Sequence, residues 1–159
     1  ELARSFVRSS LAEARRSIWE MRSQALEEAD LPTALANVAE HLTDGLPVRV
    51  VARTNGVARR LPVVLENNLL RIGQEAVTNA VKYAQPKEIV IEQDYEPKTV
   101  RLRVRDDGRG FDTSKVVVSR NGGFGLVDMK ERTQQLSGQF TVRSGPGQGT
   151  EILVEVPVV

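Results

Sequence analysis

The sequence predicts an α+β domain, a two-layer sandwich in which helices cover one face of a mixed sheet. Three observations predict it. Apolar residues recur at helical spacing in four segments, and period-two alternation marks five shorter ones. Their order is helix, helix, strand, helix, strand, strand, loop, helix, strand, strand, which argues for two packed layers. At 159 residues and 40% hydrophobic content, the chain can bury one core and carry a helical appendage.

Residues 2–29 contain few breakers and read as the first helix. Val7, Leu11, Ala14, Ile18, Met21 and Ala25 form a heptad-like stripe that needs a partner helix or a core, with Arg4, Arg8, Glu13, Arg16 and Glu20 opposite. Asp30-Leu31-Pro32 punctuates: Pro32 suits the first turn of a second helix, with Asp30 or Leu31 near its cap. Leu35, Val38, Ala39 and Leu42 carry that helix to about Thr43, and Asp44-Gly45 stops it. Val48, Val50 and Ala52 alternate as a strand, and Asn55-Gly56 turns. Pro62 opens the long third helix. Gln85-Pro86 closes it, because the residue before proline is pushed out of helical space. Ile89 and Ile91 alternate, and so do Val100, Leu102 and Val104 against Arg101, Arg103 and Arg105, as half-buried strands do. Residues 106–123 read as a polar loop. Leu126 to Leu136 is a helix ended at Ser137-Gly138, and Phe140 to Arg143 and Ile152 to Val156 are strands joined through glycines.

Composition excludes several classes of function. A net charge of +1 gives no global field toward nucleic acid or a membrane surface. The absence of Cys removes disulfides and thiolate metal sites and fits a reducing, cytoplasmic setting. A single His makes a zinc centre improbable. No apolar run approaches the length of a membrane span, and there is no secretory signal pattern. The chain opens inside a helical pattern without an initiator Met, as expected of a piece of a longer protein.

Four segments carry chemistry. On the third helix, Glu75, Asn79 and Lys82 stand at i, i+4 and i+7, within an arc of roughly 60° at about 100° per residue. The rest of the circumference is largely apolar. Alone, such a stripe is an ordinary solvated helix face. It also groups a carboxylate, an amide and an ammonium, which suits a hydrated metal and a triphosphate. Asp106-Asp107-Gly108-Arg109-Gly110 follows a strand. It reads as a turn, or as a carboxylate aimed at a ligand amino group while the glycines let a flat ring approach the backbone. Gly123-Phe124-Gly125-Leu126 enters a helix, where glycines suit a phosphate or the hinge of a lid. It is neither a dinucleotide fingerprint nor a P-loop. Gly145-Pro146-Gly147-Gln148-Gly149-Thr150 joins two strands and offers the Thr150 hydroxyl.

Together, Gln74-Glu75-x-x-x-Asn79-x-x-Lys82, Asp106-x-Gly108-x-Gly110, Gly123-x-Gly125-Leu126 and Gly147-x-Gly149-Thr150 resemble the ATP-binding catalytic domain of sensor histidine kinases. That domain belongs to the ATPase superfamily shared with gyrase-type topoisomerases, the heat-shock chaperone and the mismatch-repair ATPases. The resemblance covers about residues 31–157 and implies a Bergerat-type ATPase fold. Residues 10–29, with Ala14 to Arg22, resemble the end of the second dimerisation helix of the nitrate-sensor-like subfamily. This divides the chain into 1–29, the end of a dimerisation and phosphoacceptor hairpin, and 30–159, the ATP-binding domain.

The resemblance implies ATP and Mg²⁺ as ligands and a role for each matched residue. Glu75 matches the catalytic acidic residue that acts as general base or polarises the phosphoacceptor. Asn79 matches the Mg²⁺ ligand, and Lys82, followed by Tyr83, a position at the phosphates. Asp106 matches the acceptor of the adenine amino group, with Gly108 and Gly110 shaping its pocket. Gly123, Gly125 and Leu126 match the lid-to-helix turn, and Thr150 a hydroxyl near adenine. Implied partners are the protein's own phosphoacceptor domain in a homodimer and the receiver domain of a response regulator, with no nucleic acid and no membrane contact. Two departures stand out. Tyr83 takes a place where the subfamily often has His, so any charge there is lost. The only His, His41, lacks the acidic neighbour of an acceptor motif, so the chain alone is expected not to autophosphorylate. A serine kinase of the anti-sigma-factor type and a non-catalytic nucleotide-sensing or dimerisation module are the competing readings. The N-terminal heptad stripe disfavours the first, and the retained Glu75 and Asn79 disfavour the second.

Overall fold

A computed structural model of the chain describes residues 22–112 and 123–158. Most of the heptad stripe and the loop expected to be a lid lie outside the described residues.

The described elements are α1 (Gln24–Glu28), α2 (Leu31–Leu42), β1 (Arg49–Asn55), α3 (Val63–Asn79) running into a π-helical turn (Ala80–Ala84), β2 (Glu88–Tyr95), β3 (Thr99–Asp106), α4 (Gly123–Gln135), β4 (Gln139–Ser144) and β5 (Thr150–Pro157). The strands make one sheet in the order β1-β2-β3-β5-β4. β1 and β2 are parallel, which requires a crossover, and α3 supplies it. The other pairs are antiparallel, so the sheet is mixed as the sequence predicts.

Alternation assigns the two faces. Ile89, Ile91, Val100, Leu102, Val104, Ile152, Val154 and Val156 point inward and are buried against Leu35, Leu69, Ile72, Val77 and Met129 of the helices. The opposite face carries charge. Arg103 pairs with Glu92 at 3.0 Å and Glu151 at 2.9 Å, and Arg101 with Glu155 at 3.0 Å. Ladders of opposite charge suit a sheet face left to water. Asp30 caps α2, its carboxylate accepting the Thr33 amide at 3.0 Å; hydrogen bonds from the Thr33 side chain first and its amide second hold the Asp30 carboxyl below its usual range.

Two differences from the sequence pattern stand out in the helices. In the first predicted helix Arg22 and Ser23 are not helical; the Ser23 backbone is extended, and α1 starts at Gln24. Tertiary bonds compete there with the helix. Asn67 accepts the Ser23 amide at 3.1 Å, while Arg22 donates to the Leu61 carbonyl at 2.7 Å and lies 2.6 Å from the buried carboxylate of Glu66. Leu26 of α1 enters the same core as α2 and α3. The second difference is the end of the long helix, which widens into the π-turn and stops at Gln85 in the left-handed region, φ 48°. Such wide turns cluster at functional sites.

Candidate functional site

α3 and α4 bring the first half of the site together. Arg132 of α4 bridges Asp128 at 2.8 Å and the buried Asn68 of α3 at 3.3 Å, and Met129 is fully buried between the layers. With the helices set this close, Gly125 comes to rest against Glu75 and Asn79. A Cβ on Gly125 would stand 2.7 Å from Glu75 Oε1 and 2.8 Å from Asn79 Nδ2. α4 begins at Gly123, earlier than the sequence pattern suggests, so Gly123 and Gly125 both lie in its first turn. The amides of that turn, which have no acceptor within the helix, therefore sit beside a carboxylate and a carboxamide, both half-buried.

Lys82 does not follow the line predicted for it. It lies in the π-turn, whose wider winding carries it off the Glu75–Asn79 stripe. Lys82 and Tyr83 are exposed. Leu126 is half-buried on α4 and packs against the core.

The second half of the site stands at the end of β3. Asp106 points to the helix side and is buried, next to Thr150 of β5 in the sheet register. Its Oδ1 accepts the Gly108 amide at 2.8 Å. Burial pushes the Asp106 carboxyl up, against the lowering effect of backbone hydrogen bonds from Gly108 and Thr150, and the neighbouring Asp107 adds to the rise. Gly108 packs directly on Ala84 at the end of the π-turn, where any Cβ would collide with the Ala84 carbonyl, and Arg109 donates its amide to that carbonyl at 2.9 Å. Gly110 has φ 64° and faces the Gly145 carbonyl, so that position demands glycine twice over. The Asp106–Gly110 loop is thus braced between the end of the long helix and the β4–β5 loop.

Two supporting residues escaped the sequence pattern. Asp107 accepts the amides of Lys87 at 2.8 Å and Glu88 at 2.9 Å, which ties the start of β2 to the end of β3. These backbone bonds, that of Glu88 foremost, hold its carboxyl below the usual range. Ser144 Oγ contacts the Phe111 amide, the Gly149 carbonyl and Thr150 Oγ1, each at 2.9 Å. Asp-Gly turns and strand-end serines are too common to flag either role from sequence.

A cavity of about 510 Å³ borders Asp106, Ser144 and Thr150, together with outward Val90, Arg105, Arg143 and Glu151. Glu75 and Asn79 do not line it. Among the described residues, no three His, Cys, Asp or Glu side chains gather as a metal cluster. The side-chain oxygens of Glu75 and Asn79 are hard donors, the kind that oxygen-seeking cations take. His41, on the last turn of α2, is exposed. No helix among the described residues is long and apolar enough to cross a membrane.

Residues 64–159 match the family described as histidine kinase-, DNA gyrase B- and HSP90-like ATPase. The chain is 33% identical over 155 residues to the signal transduction histidine-protein kinase/phosphatase DegS of Brevibacillus brevis, an alignment that covers 98% of this chain and 39% of that protein. It is 39% identical over 100 residues to the DegS of Bacillus subtilis strain 168, covering 63% of this chain and 26% of that protein. The chain thus spans well under half the length of these curated relatives. Among solved structures, full-length ShkA in complex with AMPPNP superposes with a TM-score of 0.68 at 23% identity, over 82% of this chain and 30% of that one. At that identity the likeness shows the fold.

Proposed function

The chain belongs to the histidine kinase-, DNA gyrase B- and HSP90-like ATPase family, in its histidine kinase branch, and we propose that it binds Mg-ATP and passes the γ-phosphoryl group to a histidine on a separate phosphoacceptor domain. The observation that supports this most is the meeting of Glu75, Asn79 and the first turn of α4 at Gly125. It joins a base, a cation ligand and the backbone amides of a helix N-terminus. ShkA, the fold relative, is described in complex with AMPPNP.

In this reading Asp106 and Thr150 hold the adenine end, and Gly108 and Gly110 let the loop that follows Asp106 pack closely on Ala84 and Gly145. The amides of α4 receive the phosphates. Asn79 would hold Mg²⁺, which would neutralise charge on the phosphate oxygens. The acceptor imidazole nitrogen forms a bond to the γ-phosphorus while the bond to the bridging oxygen of ADP breaks. Glu75 hydrogen-bonds the other ring N–H and takes its proton, so the imidazole is not left carrying a positive charge. Residues 1–29 would come from the dimerisation hairpin, and the acceptor domain of a homodimer and a response regulator receiver domain would be the partners. The carboxylate of Glu75 and the wide turn after Asn79 are best explained by this chemistry.

Calorimetric titration of the chain with ATP, with and without Mg²⁺, tests the reading. A saturable, Mg²⁺-dependent heat is expected; its absence would remove the proposal. The Gly125 contact gives a sharper check. Gly125→Ala displaces only the flexible ends of Glu75 and Asn79, so the melting temperature should hardly change. Mg²⁺-dependent nucleotide affinity should fall about tenfold, as when the surroundings of a metal ligand are disturbed. Unchanged affinity would mean that Glu75 and Asn79 act elsewhere.

A further inference from the structure

We propose that Ser144 is a positioning residue that fixes the direction of the Thr150 hydroxyl and so sets a preference for a base carrying an amino group. The inference rests on the reading of Asp106 and Thr150 as the base-binding end, and it names what makes that end selective.

The argument is a count of hydrogens. A serine hydroxyl has one hydrogen to donate and two lone pairs to accept with. Ser144 Oγ accepts the Phe111 amide at 2.9 Å, and its own hydrogen goes to the Gly149 carbonyl at 2.9 Å. One lone pair remains for the third contact, Thr150 Oγ1 at 2.9 Å. Thr150 must therefore be the donor there, because Ser144 has no second hydrogen to give. That commits the only hydrogen of the Thr150 hydroxyl to Ser144 and leaves its lone pairs for whatever lies beyond.

The sheet register decides where those lone pairs act. Thr150 lies opposite Asp106 on one side and Ser144 on the other, so all three side chains share the helix-side face at the end of the sheet. Directly opposed residues keep their Cβ atoms about 4.5–5.5 Å apart. A ligand at this end then meets two acceptors, the Asp106 carboxylate and an acceptor-only Thr150. An amino group satisfies such a pair, whereas a carbonyl in its place meets oxygen lone pairs on both sides. If the Thr150 hydroxyl were free to turn, it could donate to a carbonyl and blunt the difference. Ser144 is thus the part of the β4–β5 corner that denies Thr150 this second option. It need not touch the base.

The test compares ATP with inosine triphosphate, which carries a carbonyl where ATP carries an amino group, on the full chain and on Ser144→Ala and Ser144→Cys. Cysteine nearly preserves shape but is a weak hydrogen-bond partner. The parent should prefer ATP. In both variants the ATP-to-inosine ratio should narrow by about three- to tenfold, the worth of one neutral hydrogen bond, mainly through better inosine triphosphate binding. A merely structural role would weaken both nucleotides alike, and an unchanged ratio in the variant that folds overturns the inference while leaving the ATP site intact. Failure of the parent to bind either nucleotide overturns the base-site reading and this inference with it, and that result is distinguishable because it precedes any substitution.

Discussion

Glu75→Gln should slow phosphoryl transfer from ATP to a supplied phosphoacceptor domain by about 10²- to 10⁴-fold, the range for removal of a positioned general base. Glutamine keeps the length and shape of the side chain and removes its charge. Glu75 is half-buried on α3 beside Gly125, so the substitution adds no clash and the affinity for Mg-ATP should stay within about twofold. Single-turnover transfer with labelled ATP, set beside equilibrium nucleotide binding, separates the two quantities. Transfer at the parent rate would show that Glu75 takes no proton. A parallel loss of binding and transfer would make Glu75 part of the nucleotide site only.

The second large effect concerns Asp106. Asp106→Asn should weaken ATP binding about 10- to 100-fold, because a hydrogen bond to a charged acceptor contributes roughly 1.5–3 kcal/mol. The preference for ATP over GTP should shrink with it. Stability should move the other way. Burial raises the Asp106 carboxyl, so its ionisation opposes folding. The stability from the protonated form is complete below the unfolded-state value and is lost as pH rises through the folded one. At neutral pH the parent carries this penalty and the asparagine variant does not, so the variant should melt no lower than the parent. The same shift gives the parent a pH signature: on acidification its ATP affinity should begin to fall at a higher pH than an ordinary carboxylate would allow. Affinity equal to that of the parent in Asp106→Asn would remove Asp106 from the base-binding end.

Much of this molecule is legible in its residues. The alternation of Val100, Leu102 and Val104 with Arg101, Arg103 and Arg105 identifies β3 and both of its faces. Pro32 and Asp30 mark the start of α2, and Ser137-Gly138 the end of α4. These readings succeed because periodicity and caps are local, and a local pattern constrains the backbone within a turn or two. The spacing of Glu75 and Asn79 is legible for the same reason.

Other features were set by tertiary packing. The non-helical backbone at Arg22 and Ser23 is held by Asn67, Leu61 and Glu66, about forty residues away in the chain. The π-turn that moves Lys82 off its line ends against Gly108 and Arg109, which take up the Ala84 carbonyl. Ser144 acquires its role only when β3, β4 and β5 lie in register and bring Phe111, Gly149 and Thr150 within reach of one hydroxyl. The sequence by itself determined the kinds of element, their faces and the groups available for chemistry. The tertiary structure decided which of those groups meet and which way their hydrogens point, because a hydrogen bond needs its partners within about 3 Å and aligned. No local pattern places residues forty positions apart at that distance.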